Sequence, residues 1–370
     1  MEYIYSFDEL SIPFWVKVLF WGLYMIVFVY TVWKMFISAS GNKRRVEVSK
    51  LFVLYFAAYA VFYCVNPDYF RYRDWVFEFD FDIWNKELLY IYLVLFCRHL
   101  PIHYPFELFR LIVWGGALLL VYFTSRLYRS LLTPELTLLL LFVLYSGTFS
   151  YARASLAMAV FFMGISLYLW TKNPFIKMSA LGLAMSSIYF HHEMIIGVAV
   201  LPTIFIPFEK KQYKFLSVFL FVIVIIFINY INSNLDLMES LFESDEIAEK
   251  MEELNNQEQG AFRLSTFIKY ANFFYPFFLI TQFLHRQTFV PKPIAGIYRV
   301  TYALLMASAA FMIVSGLRST YTYRVMYITM IPISIMITYY YNNGFLKKHQ
   351  LAIIFLLAML TNSSRLINAT

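Results

Sequence analysis

Residues 12–50 read IPFWVKVLFWGLYMIVFVYTVWKMFISASGNKRRVEVSK. The stretch 12–37 is almost wholly apolar, and Lys43, Arg44, Arg45 and Lys50 follow it at once. An α-helix needs about 20 apolar residues to cross about 30 Å of hydrocarbon, so 12–37 reads as a membrane span. A cluster of Lys and Arg just past a span marks the cytoplasmic side. This span is longer than the apolar core of a signal peptide and no small-residue cleavage site follows it, so it is expected to be retained.

The same pattern repeats along the chain. Further apolar segments occupy 48–65, 106–125, 135–150, 152–171, 175–190, 192–208, 213–231, 264–285, 297–316, 321–341 and 350–366. The 370 residues are 61% hydrophobic and 14% charged, more apolar surface than a soluble chain of this length can bury. The expected fold is therefore all-α: a single polytopic membrane domain over 1–370, with about 12 transmembrane helices. Segment 88–98 is too short to cross and ends at Arg98-His99-Leu100-Pro101, so the region near 88–100 reads as interfacial or re-entrant.

Charge tests the count. Alternating from the first loop, the cytoplasmic side receives Arg126, Arg129, Lys172, Lys177, Lys210, Lys211, Lys214, Arg286, Lys292, Arg299, Lys347 and Lys348. Of 23 acids only Glu47, Glu135 and Glu209 fall there. One span more or fewer would put a basic loop outside. The net charge of +7 is thus cytoplasmic anchoring and not a nucleic-acid surface. Cys64 and Cys97 lie near the outer face, where a disulfide is allowed, although two cysteines in or near spans usually act as core hydrophobes. No Walker A, GxSxG, HExxH or CxxC occurs, so an ATP-driven pump, a serine hydrolase and a zinc protease have no support.

Two external loops, 66–105 and 232–262, are expected to cap an outer-face cavity. The second carries nine acids, and Leu237, Leu241, Ile247 and Met251 suit a short amphipathic helix ending near Gly260. It is either a solvated surface or a lid. The first contains NPDYFRYRDWVFEFDFDIWNKE, residues 66–87, with Arg71, Arg73, Asp74, Asp80, Asp82 and Glu87 among aromatics. Charge at a membrane surface must meet water or act on a ligand, since lipid offers it no partner. Asp74 and Glu87, flanked by Tyr72, Trp75 and Trp84, fit a sugar surface: rings stack on apolar sugar faces and carboxylates bind hydroxyls or take a proton. Asp80 and Asp82 form an Asp-x-Asp, which binds divalent cations in some sugar enzymes but is more often a solvated edge.

Arg153, Arg318 and Arg324 emerge at the outer face, where positive charge is scarce. A guanidinium grips phosphate oxygens through two parallel N–H bonds, which suits a phosphate or pyrophosphate head group. Snorkelling to lipid head groups is the plainer alternative. His191-His192-Glu193 follows. Adjacent histidines point about 100° apart on a helix and make a poor metal pair, leaving one to face the cavity as base or phosphate donor. His99 and His103 have metal-ligand spacing, but Pro101 breaks the helix between them. No metal and no cofactor is expected.

These residues resemble a known family. Arg73-Asp74-Trp75, followed by Glu87-Leu88-Leu89-Tyr90, is similar to the G-x-D-W and E-P-G-Y region of EpsG-type, Wzy-like polysaccharide polymerases. Tyr151-Ala152-Arg153-Ala154-Ser155-Leu156-Ala157 resembles their I-R-Q-x-L-A helix start, and Phe190-His191 their F-H-x-S hairpin. The stretch from Arg318 through Tyr321 to Arg324 is similar to their late arginine and tyrosine motif. Glu87 lacks the following Pro-Gly, Ala154 stands for Gln, and His192-Glu193 for small residues.

The resemblance implies a polymerase joining repeat units carried on undecaprenyl pyrophosphate at the outer face of a bacterial inner membrane. It implies Asp74, Glu87 and His191 as catalytic candidates, and Arg73, Arg153, Arg318, Tyr321 and Arg324 as substrate-binding ones. Partners are the lipid-linked oligosaccharide and membrane lipid, with a chain-length regulator as a candidate and no nucleic acid. The rival readings are a flippase of lipid-linked sugars, against which no internal repeat is found, and a ligase or lipid-donor glycosyltransferase of similar architecture.

Overall fold

The computed structural model describes residues 14–37, 46–63, 73, 76, 87–149, 152–233, 264–287, 289–315 and 320–368, and every regular element among them is helical. In chain order these are α1 (Phe14–Ile37), α2 (Lys50–Tyr63), α3 (Leu88–His99), α4 (Pro105–Leu127), α5 (Pro134–Phe149), α6 (Ala152–Trp170) and α7 (Pro174–Ser186). There follow α8 (Met194–Ala199), α9 (Lys214–Ser233), α10 (Leu264–Leu284), α11 (Lys292–Ser315), α12 (Thr320–Ile328), α13 (Met330–Asn342) and α14 (Lys348–Asn368). Among the described residues, four helices are long and apolar enough to cross a membrane: Val18–Ile37, Pro105–Leu127, Arg153–Trp170 and Lys292–Val314. The segment expected to be interfacial is the 12-residue helix α3, which ends at the bend before Pro101.

Two apolar segments are not the continuous helices their length suggests. Segment 192–208 begins in a turn, continues as the six-residue α8, and then tightens into a 3₁₀ turn at Leu201–Phe205. Pro202 supplies no N–H to an α-helical ladder, which accounts for the second break. The first break lies upstream. Ser186 and Ser187 donate their hydroxyls back to the carbonyls of Leu183 (2.8 Å) and Ala184 (2.7 Å), taking the acceptors that the next helical turn would use. Segment 321–341 stops between α12 and α13. The Thr329 hydroxyl and amide both bond the Met326 carbonyl, and Pro332 has no N–H for the carbonyl of Ile328.

The chain divides into two compact units, Met1–Val198 with Met330–Thr370, and Ala199–Thr329. In the first, every residue of α13 is buried, as expected of a helix apolar all round. Two of its polar groups tie it to the preceding elements: Thr338 pairs with Thr137 of α5 at 3.1 Å, and Asn342 with Thr133 at 3.0 Å. Helix α5 kinks at Tyr145 (φ −135°, ψ 23°). The buried Asn362 amide of α14 donates to the carbonyls beside the kink, Val143 at 3.0 Å and Leu144 at 3.3 Å. These two carbonyls beside the kink therefore keep a donor. Helices α6 and α7 form a tight hairpin. A Cβ on Gly164 would lie 2.6 Å from both the Ala180 carbonyl oxygen and the Ala184 amide nitrogen, so only glycine permits this approach.

The second unit is knitted by aromatic pairs. Tyr323 of α12 stacks on Tyr270 of α10 at 5.0 Å, and Phe277 of α10 stacks on Tyr298 of α11 at 5.4 Å. Arg299 of α11 grips the Glu209 carboxylate through Nε (3.0 Å) and Nη2 (2.5 Å), and donates Nη1 to the Ile204 carbonyl at 2.8 Å. That clamp fixes the irregular segment after α8 to a long helix.

Candidate functional site

Hairpin α6–α7 fixes what can meet at one end of the first unit. Arg153 opens α6; the chain runs to Trp170, turns, and returns along α7, so His191 comes back to the level of Arg153. Glu87, immediately before α3, completes the group from a third segment. Its carboxylate makes no capping bond to its own helix.

Glu87 is 1% exposed. Its Oε2 accepts from Arg153 Nη1 at 2.7 Å. Its Oε1 accepts from the His192 amide at 3.3 Å and faces two imidazole nitrogens, His191 Nδ1 at 2.9 Å and His192 Nδ1 at 3.1 Å. Burial alone would raise the carboxyl's pKa; the hydrogen bonds from His191 and His192 and the charge of Arg153 outweigh it and hold it well below the usual carboxylate range. On the far side of the His191 ring, Nε2 lies 3.1 Å from Glu193 Oε2. The Arg153 guanidinium sits 5.6 Å from the centre of the Tyr90 ring, a cation–π contact. A cation in the first turn of a helix opposes the helix dipole, and Glu87 and Tyr90 offset that cost.

The arrangement joins Glu87, Arg153 and His191 across 66 and 104 residues of sequence. It also changes their expected chemistry. Both oxygens of Glu87 are engaged and its charge is stabilised, so it is a weak proton acceptor and a strong anchor. His191 has a carboxylate oxygen at each ring nitrogen. His191 and His192 do not lie on a helix but in the turn forced by Ser186 and Ser187. The expectation that adjacent histidines diverge therefore fails here: both Nδ1 atoms converge on one oxygen, and Glu87, His191 and His192 make a metal-capable set with ligand atoms all within 4.8 Å.

The remaining candidates are placed as follows. Arg73 is partly buried. Arg324 is exposed on α12, in the second unit. Asp74, Asp80, Asp82, Arg318, Cys64 and residues 234–262 lie outside the described residues, and Tyr321 is described as backbone alone. Cys97 is a buried free thiol. His99 donates Nδ1–H to the Leu95 carbonyl at 2.9 Å, and His103 is exposed beyond Pro101.

Sequence reasoning missed His192 as a partner of Glu87, Tyr90 as the ring beneath Arg153, and Arg110. The last is 6% exposed, with its guanidinium 5.7 Å from the Phe106 ring and 5.6 Å from the Trp114 ring. Its signal was available: a charge inside a long apolar helix, one turn beyond Glu107.

A family model matches residues 47–364. The chain belongs to the EpsG family. The matched range takes in Glu87, Arg153, His191, His192, Glu193 and Arg324. EpsG membership and the apolar helices together make this a membrane protein of polysaccharide biosynthesis, with a polymerase-type role. No curated protein and no solved structure matches the chain.

Proposed function

We propose that the protein is a glycosyltransferase that joins undecaprenyl-pyrophosphate-linked oligosaccharide repeat units into a surface polysaccharide, working at the outer face of a bacterial inner membrane that it crosses about twelve times. The observation that carries this reading is the convergence of Glu87, Arg153 and His191 at one end of the α6–α7 hairpin, within a chain of the EpsG family.

A hydroxyl oxygen of one unit attacks the anomeric carbon of the growing chain. The new glycosidic bond forms as the bond from that carbon to the pyrophosphate oxygen breaks, and the lipid pyrophosphate leaves. Arginines stabilise the charge that develops on it. Arg153 is assigned this role; Arg73, Arg318, Tyr321 and Arg324 are assigned to substrate binding. The hydroxyl proton goes to a carboxylate within about 3 Å, directly or through one water. Glu87 is committed to Arg153 and the histidines, so Asp74 takes the proton. Glu87 holds the guanidinium and the His191 turn in place, and His191 completes the polar face turned to the donor phosphate. A chain-length regulator is a candidate partner of the growing polymer.

The test is the glycan phenotype of a deletion strain. Accumulation of single lipid-linked repeats without long chains is the expected result. Loss of all surface glycan, with repeats trapped inside, would point to a flippase.

A further inference from the structure

Beyond that reading, and independently of it, we propose that Glu87, His191 and His192 form a binding site for a first-row divalent cation of the zinc class.

Four observations carry it. The three ligand atoms are already gathered: Glu87 Oε1 lies 2.9 Å from His191 Nδ1 and 3.1 Å from His192 Nδ1. A tetrahedral ion with bonds of about 2.1 Å spaces its ligands about 3.4 Å apart, so these two distances have to open by only a few tenths of an ångström, and all three ligand atoms lie within 4.8 Å of one another. Second, the ligands are held from behind. Glu193 Oε2 sits 3.1 Å from His191 Nε2, the carboxylate–histidine arrangement that orients a metal-bound imidazole. Arg153 holds the other oxygen of Glu87 at 2.7 Å.

The Glu193 contact matters most. With Nδ1 on an ion, a neutral His191 still has an Nε2–H to donate, and both ring nitrogens are satisfied. Third, the site has an open side: the His192 side chain is 50% exposed while Glu87 is 1% exposed. Three protein ligands with one accessible position is the pattern of a zinc site that receives a ligand. Fourth, two imidazoles and one carboxylate favour zinc-like ions over Mg²⁺ and Ca²⁺, which take oxygen ligands. The Asp80-x-Asp82 pattern would favour the reverse. An ion here would stand beside Arg153 and present a second positive centre to phosphate oxygens.

The full-length protein in lipid nanodiscs is dialysed against Zn²⁺ alone, and bound metal is counted by elemental mass spectrometry. One Zn²⁺ per chain is expected in the wild type and in a His99→Ala, His103→Ala control. His192→Ala, which removes a half-exposed side chain, should lose it. Glu193→Gln should bind roughly 10–100-fold more weakly. Co²⁺ loading should give the visible absorption of a tetrahedral centre, missing in His192→Ala. A wild type that retains no zinc, or His192→Ala binding as the wild type does, overturns the proposal. No substrate enters these measurements, so a chain that binds zinc yet makes no polymer counts against the proposed function and leaves the site standing.

Discussion

Glu87 decides what Arg153 and the two histidines can do, because a buried carboxylate that loses its partners, or is lost by them, is costly. Removing one member of a buried ion pair typically costs about 3–5 kcal/mol, so Glu87→Gln should lower stability on that scale. The pH dependence has a definite sign. The folded protein holds the Glu87 carboxyl well below its ordinary value of 4.5, so the unfolded chain binds that proton more readily. The stabilisation is fully present above about pH 4.5 and is lost as pH falls below it towards the depressed folded value. The groups facing Glu87 are Arg153, His191 and His192, with Glu193 across the His191 ring. Thermal unfolding between about pH 6 and about pH 3 should therefore show a larger loss for the wild type than for Glu87→Gln; parallel curves would mean the carboxylate is not held by these partners. The sequence offered Glu87, Arg153 and His191 as separate candidates, each by charge at an unusual place. It did not offer His192, because the chain at 191–193 looks helical until the serine hydroxyls that end α7 are taken into account.

Elements were easier to read than their ends. Apolar runs marked the helices, since burial or lipid demands a continuous apolar face and the backbone must satisfy itself. Interruptions inside those runs come from single residues, Pro202 and Pro332 or hydroxyls turned back on carbonyls, and these barely change an apolar average. The α6–α7 hairpin is the element that sets the distance from Arg153 to His191, and its closeness rests on Gly164. Gly164→Ala places a methyl against backbone atoms of Ala180 and Ala184 that cannot rotate away, a strain of about 1–3 kcal/mol. It should lower the unfolding temperature and slow chain growth as His191 moves off Arg153. Gly182 sits on α7 with nothing within 4 Å of its would-be Cβ, so Gly182→Ala should be neutral or slightly stabilising. Equal effects from the two substitutions would show that the hairpin does not position the site.

At the level of the whole molecule, the sided distribution of charge predicts which ends face out. Among the described residues, four helices qualify as spans by length and composition; the about twelve crossings proposed rest on the alternation of basic loops. In a background lacking Cys64 and Cys97, a membrane-impermeant thiol reagent applied outside should label His103→Cys. It should reach Lys211→Cys and Lys347→Cys only after permeabilisation. The reverse pattern would turn the site towards the cytoplasm and remove the proposed function. Fold class was legible because solvation by lipid leaves a strong compositional mark on helices. Which residues meet was not, because Glu87, Arg153 and His191 are brought together by helix ends that composition does not locate. The most direct test of the central claim uses purified full-length protein in liposomes, supplied with lipid-linked repeat units and nothing else. The wild type should convert them to a ladder of longer chains with release of lipid pyrophosphate. Arg153→Lys, a point charge in place of a planar fork, should slow that ladder by roughly tenfold, about 1.4 kcal/mol of transition-state stabilisation. Unchanged single units from an intact wild type, or an unaltered ladder from Arg153→Lys, would contradict it.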